Sequence, residues 1–405
     1  MDKKEESLKL TDHRDIGREL DLFSFHDVSP GAVFWHGKGM VIWRELEKYL
    51  RGKLDQANYQ EVSTPIMVKK ELYETSGHWQ HYRENGFTLE VDNQTYVLKP
   101  MNCPEACLIF KNTTRSYRDL PIKLSEITGK LHRKELSGVL GGLLRVRQMN
   151  QDDAHIFCRE DQIHSAITEQ MELVKEFYSY FDMPLSFNVA TRPEDAMGEV
   201  KLWEKAEQIL KDVLDKLEMK YEIKEKDGAF YGPKIDINVT DSQKREWTIA
   251  TVQLDFQMPE RFELEYTSED GSYKRPVIIH RAIIGTFERF IGIITEHFAG
   301  AFPLWLSPVQ VMVAPIGEKH LGYGKQIFDK LKAEGIRVEF DSNNETIGKK
   351  IRTAEMQKVP YILVIGDKEI EGGLVAVRKR GEGDLGTSKI DKFIDDIKKE
   401  IESKK

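Results

Sequence analysis

The chain has 405 residues, 40% of them apolar and 32% charged, with a formal net charge of −8. That length is too great for one core and predicts two or three globular domains; the acidic balance excludes attachment to nucleic acid by bulk charge, though not by a local basic patch. Three cysteines, Cys103, Cys107 and Cys158, are too few for a disulfide framework, and neither the polar start MDKKEESLKL nor any later window forms a signal peptide or a membrane span, so the expected compartment is a reducing cytoplasm.

Residues 1–10 are polar and are expected to fray. In the segment 39–67, Val41, Ile42, Leu46, Tyr49, Leu50 and Leu54 recur at helical spacing, and the segment closes on a strand-like stretch ending at Thr64-Pro65. From about 95 to 300, strand-like QTYVLKP, WTIATVQLDF and RPVIIHRAI mix with amphipathic AITEQMELVKEFYSYF and LWEKAEQILKDVLDKLEM. This pattern predicts an α+β domain, a mainly antiparallel sheet flanked by helices. Beyond FPLWLSP (302–308), apolar strands alternate with helices (VQVMVAPI, GYGKQIFDKLKAEG, IRVEFD, IGKKIRTAEMQK, YILVIG), predicting a smaller α/β domain on a parallel or mixed sheet. The expected domains are 1–305 and 306–405, the second closing on KIDKFIDDIKKEIESKK as an exposed helix.

No G-x-x-x-x-G-K-[ST] loop is present, and the glycines of GVLGGLL (138–144) suit a turn, so any nucleotide phosphates must be held by side chains. Arg133 and Glu135 share one side of a strand in LHRKELSG, and Arg145 and Arg147 stand in the same relation in LLRVRQM. A hairpin between the two would aim several guanidiniums into one cleft, a clamp for phosphates; the same spacing also fits a charged solvent face of an antiparallel pair. In QMNQDDAHIFC (148–158), two acids run into His155 and an apolar end, as in a strand entering a polar cavity. His280 lies in the apolar run of VIIHRAIIGTFERF (277–290), which continues helically with Arg281, Glu288 and Arg289 embedded in it. By spacing alone His155 and His280 are equally satisfied core histidines, Cys103 is equally an inert buried thiol, and no local zinc motif joins them.

KPMNCP (99–104), SYRDLP (116–121), HRKELSG (132–138), GLLRVR with QDDAHIF (142–157), FYGPKIDI (230–237), TVQLDF (251–256) and HRAIIGTFERF (280–290) occur in this order. Together they resemble the catalytic core of the threonyl-tRNA synthetases, a class II aminoacyl-tRNA synthetase family, and the likeness runs from DHRDIGRELDLF (12–23) to the C-terminus. The resemblance implies that the segment ending at Pro65 is the dimerisation motif of a homodimer, and that Cys103, His155 and His280 hold one zinc per subunit. Two imidazoles and a thiolate leave a position where threonine's amino group and hydroxyl can bind while valine is rejected. Asp153, with Gln151 and Tyr231 beside it, is implied on the threonine side. Arg133 is implied at the α-phosphate, Glu135 near the adenine and Arg289 at the tail of an ATP that carries Mg2+, with Arg145 and Gln253 as further ATP-side residues. His78 is implied in transfer to the tRNA, although a histidine packing beside Trp79 has the same sequence. In the C-terminal domain, Asn344, Glu369 and Arg378 match positions that read the anticodon.

The chain departs from the family pattern at Glu105-Ala106, where Gly-His is common, and at Met149, where a phenylalanine often stacks on adenine. It departs again at Thr248 in place of glutamine, Thr286 in place of serine and Gly141 in place of histidine. Two rival readings are a relative that charges another acceptor than tRNA and a non-catalytic RNA-binding relative; the GDKE…VAVR stretch and the retained Arg133 and Arg289 argue against them. With the core starting near residue 12 and no editing domain before it, the expectation is that serine escapes the zinc screen and that either a separate editing protein or a longer natural form of this chain clears seryl-tRNA.

Overall fold

A computed structural model describes residues 12–127, 129–136, 138 and 140–404, so the expected fraying of residues 1–10 lies outside the described residues. Packing divides the chain into two units. The larger comprises Phe25–Val33 and Tyr49–Ile293; the smaller comprises the described parts of Met1–Ser24, Phe34–Lys48 and Ile294–Lys405.

The larger unit is built on a nine-stranded sheet. Its strands in chain order are β1 (Gln60–Glu61), β2 (Ile122–Glu126), β3 (Lys130–His132), β4 (Gln148–Cys158), β5 (Leu185–Ala190), β6 (Tyr221–Lys224), β7 (Lys234–Thr240), β8 (Glu246–Asp255) and β9 (Val277–Thr286). They lie in the order β6-β5-β7-β8-β9-β4-β2-β1, with β3 paired to β4. The outer pairs β5–β6 and β1–β2 are parallel and the pairs between them antiparallel, as the sequence pattern leads one to expect. The central strand β9 is buried over its first eight residues, which is why it reads as an apolar run rather than an alternation. Helix α1 (Ile163–Tyr178) turns Ile163, Ile167, Met171, Val174 and Tyr178 inward at helical spacing, and the Tyr178 hydroxyl donates to the Ile283 carbonyl of β9 at 2.7 Å.

Asp152 explains half of the puzzle in QDDAHIF. The register between β4 and β9 shifts between Gln151 and Asp153, a bulge centred on Asp152. Its fully buried carboxylate accepts from the Ile283 amide (2.8 Å) and the Ile284 amide (3.1 Å) and from Arg281 Nη1 (3.0 Å). Arg281 in turn lies over the Tyr59 ring, 5.3 Å from its centroid. The acid is therefore a lock on strand register and not a group offered to a ligand.

The smaller unit carries β10 (Val311–Pro315), β11 (Val338–Phe340), β12 (Tyr361–Ile365), β13 (Leu374–Lys379) and β14 (Gly383–Lys389) in the order β11-β10-β12-β13-β14. The first three strands are parallel and the last two antiparallel to their neighbours, a mixed sheet. The closing helix, Ile390–Ser403, corrects the expectation of an exposed element: Phe393, Ile394 and Ile397 are buried in the core with Val311, Leu363 and Val375. Its composition is dominated by Lys, Asp and Glu, but the few apolar residues fall on one stripe, and a stripe is enough to dock a helix.

Breaking the buried pair leaves an uncompensated charge and two stranded amides. Asp152→Ala is expected to lower the unfolding free energy of the larger unit by about 3–5 kcal/mol in urea titration. The double variant with Arg281→Ala should cost less than the sum of the singles.

Candidate active site and metal centre

His155 on β4 and His280 on β9 are direct register partners, and their rings sit 4.9 Å apart at 81°. Cys103 opens helix α2 (Cys103–Lys111), which starts there because Pro104 suits a first turn. The ligating atoms of all three residues lie within 4.8 Å of one another, and all three residues are buried. Each histidine of the group has a buried ring nitrogen with no hydrogen-bond partner, His155 Nε2 and His280 Nδ1. The other nitrogen of His280, Nε2, is 3.0 Å from Asp255 Oδ2, which fixes the proton there and leaves Nδ1 as a lone pair. Asp255 is itself held, its Oδ1 accepting from the Gln257 (2.7 Å) and Met258 (3.0 Å) amides. Burial pushes His155 down to about 4, so its ring is neutral at ordinary pH. Burial and neighbouring carboxylates push the Cys103 thiol well up, so ionising it requires a cation beside it. One sulfur and two imidazole donors, with orphaned lone pairs and a carboxylate behind one ring, fit a zinc ion.

Asp153 faces this triad, its Oδ2 3.9 Å from His155 Nε2 and 2.9 Å from Asn102 Nδ2. The Tyr231 hydroxyl donates to Gln253 Oε1 at 2.6 Å, and the Tyr231 ring is 5.2 Å from that of His280. Gln253, expected on the nucleotide side, thus stands beside the triad, because β8 sets it opposite His280. His78, in the short helix His78–Tyr82, is buried with its ring 5.3 Å from Phe230 and 6.0 Å from Tyr231. Its Nδ1 is 2.9 Å from Ser76 Oγ, and burial together with the nearby His280 holds it down to about 3, a neutral ring.

A pocket of about 190 Å³ gathers Arg133, Glu135, Arg145, Met149, Gln151, Thr248, Thr286 and Arg289. The expected hairpin carries it: β3 pairs with the start of β4, and the Arg133 amide donates to the Arg147 carbonyl at 2.8 Å. The glycines do make the turn, with Gly142 at φ +59. Arg147 leaves the clamp, since its Nε and Nη2 donate to the Glu135 carbonyl at 2.9 and 2.6 Å. Arg289 Nε donates to the Leu144 carbonyl at 3.0 Å. Burial and then the like charges of Arg133 and Arg145 lower the Arg289 pKa, the electrostatic mark of a site built for an anion. Thr248, one of the family departures, spends its hydroxyl on Asn238 Oδ1 at 2.6 Å. A larger cavity, about 760 Å³ and lined by Tyr117, Arg159, Tyr266 and Arg275, holds none of these residues. Its guanidiniums are already spent, Arg159 on Asp161 and the Tyr117 carbonyl, Arg275 on the Leu264 carbonyl.

In the smaller unit Asn344 is exposed just before the helix Ile347–Met356, and Arg378 is half-buried on β13. Glu369 is buried, and its Oε2 accepts from the Gly366 amide at 2.9 Å, capping the helix Asp367–Gly372. Asp255, Asn102, Thr251 and Ala282 escaped the sequence reading. Thr251 and Ala282 are register partners in the row next to His280, alongside Asp153. Period-two spacing from Gln253 and His280 would have pointed to Thr251, Asp255 and Ala282.

Residues 87–298 match the family model of the tRNA synthetase class II core domain (G, H, P, S and T), and residues 310–400 match that of an anticodon binding domain. The threonine–tRNA ligase of Carboxydothermus hydrogenoformans is 53% identical over 99% of this chain, and that of Caldanaerobacter subterraneus is 52% identical over 98%. The chain spans 63% and 62% of the lengths of these two relatives. Among solved structures, the RNA binding domain of threonyl-tRNA synthetase from Cryptosporidium parvum superposes with a TM-score of 0.93 at 40% identity, covering 96% of this chain and 98% of that one. A putative threonyl-tRNA synthetase of Aeropyrum pernix gives 0.84 at 27% identity, covering 97% of both chains.

Elemental analysis should find about one zinc per chain. Cys103→Ala is expected to abolish it, and Asp255→Asn to weaken zinc affinity by about 10- to 100-fold. Cys107→Ala, on the same helix but outside the triad, should leave it unchanged.

Proposed function

The chain belongs to the class II tRNA synthetase family, and from that membership we propose that it is a threonine–tRNA ligase, activating threonine with ATP and passing it to the 3′ end of threonine tRNA. One observation carries the choice of amino acid: the buried triad of Cys103, His155 and His280 faces Asp153. A zinc held by the triad supplies Lewis acidity for an amino acid that bears a hydroxyl, and Mg2+ accompanies the ATP.

Asp153, Tyr231 and Gln151 orient the threonine, and the Tyr231 hydroxyl also donates to Gln253, which belongs with the ATP-side residues. Arg133, Arg145 and Arg289 take the phosphates, with Glu135 and Met149 beside the adenine. A carboxylate oxygen of threonine attacks the α-phosphorus; the new O–P bond forms as the bond to the bridging oxygen breaks, and that electron pair leaves on pyrophosphate. Guanidiniums already fixed around this charge stabilise it without reorganising. In the second step a terminal ribose hydroxyl attacks the carbonyl carbon and AMP departs. His78, neutral through burial, assists as a hydrogen-bond acceptor near that carbonyl.

We assign residues 306–405 to anticodon reading, with Asn344, Glu369 and Arg378 as contacts, an assignment supported by the family match over 310–400. The same reading makes the protein a cytoplasmic homodimer.

Threonine-dependent ATP–pyrophosphate exchange followed by charging of threonine tRNA tests the proposal. Exchange without charging favours a relative that loads another acceptor, and neither activity favours a non-catalytic one. Arg378→Ala should reduce charging while leaving exchange nearly intact; equal loss of both would place its effect in folding.

Selectivity should be lopsided. Serine keeps the hydroxyl and the amino group and lacks one methyl, a difference of roughly 1–3 kcal/mol, so its kcat/KM in exchange is expected within about 10- to 200-fold of threonine's. Valine, with no hydroxyl, should fall far below serine.

A further inference from the structure

Asparagine is among the best residues for a helix N-cap, where its side-chain oxygen accepts from the first-turn amides. Asn102 occupies that position on α2 and makes no such bond. Its side chain, 1% exposed, turns instead to Asp153, with Nδ2 2.9 Å from Oδ2. In this contact the amide nitrogen donates to the carboxylate oxygen, which sets the amide oxygen at the other end. The other end, Oδ1, is buried with no hydrogen-bond partner. Buried polar atoms are nearly always paired, and an orphan carbonyl next in sequence to Cys103 marks where an incoming molecule supplies the missing donor. Met101, on the other side, has its sulfur 3.8 Å from Arg133 Nη2, so this three-residue segment touches both the phosphate clamp and the metal triad.

We propose that Asn102 is a substrate-binding residue. Its Oδ1 accepts from the α-amino group of the bound amino acid, while its Nδ2 holds the Asp153 carboxylate in place to accept a hydrogen bond from the substrate's hydroxyl. The assignment of donors follows from their number. The hydroxyl has one proton for Asp153, whereas the amino group has several N–H bonds and can serve a second acceptor. The inference rests on the threonine-activating reading and deepens it.

The test uses the whole chain with its metal. Asn102→Ala should raise KM for threonine in pyrophosphate exchange by about 10- to 100-fold, since it removes the amino group's acceptor and the donor that holds Asp153. KM for ATP should stay within about twofold, and zinc content should not change. Competitive inhibition by 2-aminobutyrate, which has the amino group and no hydroxyl, should weaken by a similar factor. If Asn102→Ala fails to fold, Asn102→Ser, which can still cap the helix but is too short for Asp153, should give the same readings. An unchanged threonine KM overturns the proposal, as does a threonine penalty that 2-aminobutyrate escapes. A parallel rise in ATP KM with loss of zinc would make Asn102 a structural part of the helix start and also overturn it. Absence of threonine-dependent exchange in the unaltered chain would overturn the ligase reading, and this inference with it; normal exchange with an unaffected Asn102→Ala overturns the inference alone.

Discussion

Everything in the larger unit depends on the register between β4 and β9. Because side chains alternate along a strand, a slip of one residue would turn His155 and Asp153 to the opposite face and bring Asp152 and Ala154 to theirs. Asp152 prevents the slip: a carboxylate inside the bulge, bonded to two amides and a guanidinium of β9, fits only one alignment. With that alignment set, His155 meets His280, and β8 brings Gln253 beside them. The adjacent acids in QDDAHIF thus divide the labour, one holding the strand and the other standing against the triad.

The same sheet separates two kinds of chemistry a short distance apart. Around Cys103, His155 and His280, burial disfavours charge: the His155 imidazole stays neutral and the Cys103 thiol resists ionising until a cation arrives. Around Arg133, Arg145 and Arg289, charge is concentrated and incompletely neutralised, with Glu135 already paired to Arg145 at 3.0 Å. An amino acid has an amino end suited to the first environment and a carboxylate suited to the second. Gln151, which lines the arginine pocket, stands on the same strand as Asp153 and His155.

Much of this was legible from the chain because the motifs are local. The hairpin of Arg133 and Arg147, the antiparallel centre and the mixed C-terminal sheet followed from alternation and turn residues. The triad did not follow from spacing, since Cys103, His155 and His280 come from one helix start and two strands far apart in sequence; resemblance supplied it and the geometry brings the three together. Two readings went astray for identifiable reasons. Arg147 was counted in the clamp, although the Glu135 carbonyl captures its guanidinium. The last helix looked solvated because its stripe of Phe393, Ile394 and Ile397 is narrow against a charged background. Asp255 and Asn102 went unread because their significance lies in what they touch, which no one-dimensional pattern records.

The central claim is that one metal sits among Cys103, His155 and His280 and faces the amino-acid pocket. X-ray absorption at the zinc edge of the purified, active chain measures this most directly. The account predicts a first shell of one sulfur near ~2.3 Å with nitrogen or oxygen neighbours near ~2.0–2.1 Å, altered when threonine is added. A shell without sulfur, or one indifferent to threonine in an enzyme that activates it, would contradict the account.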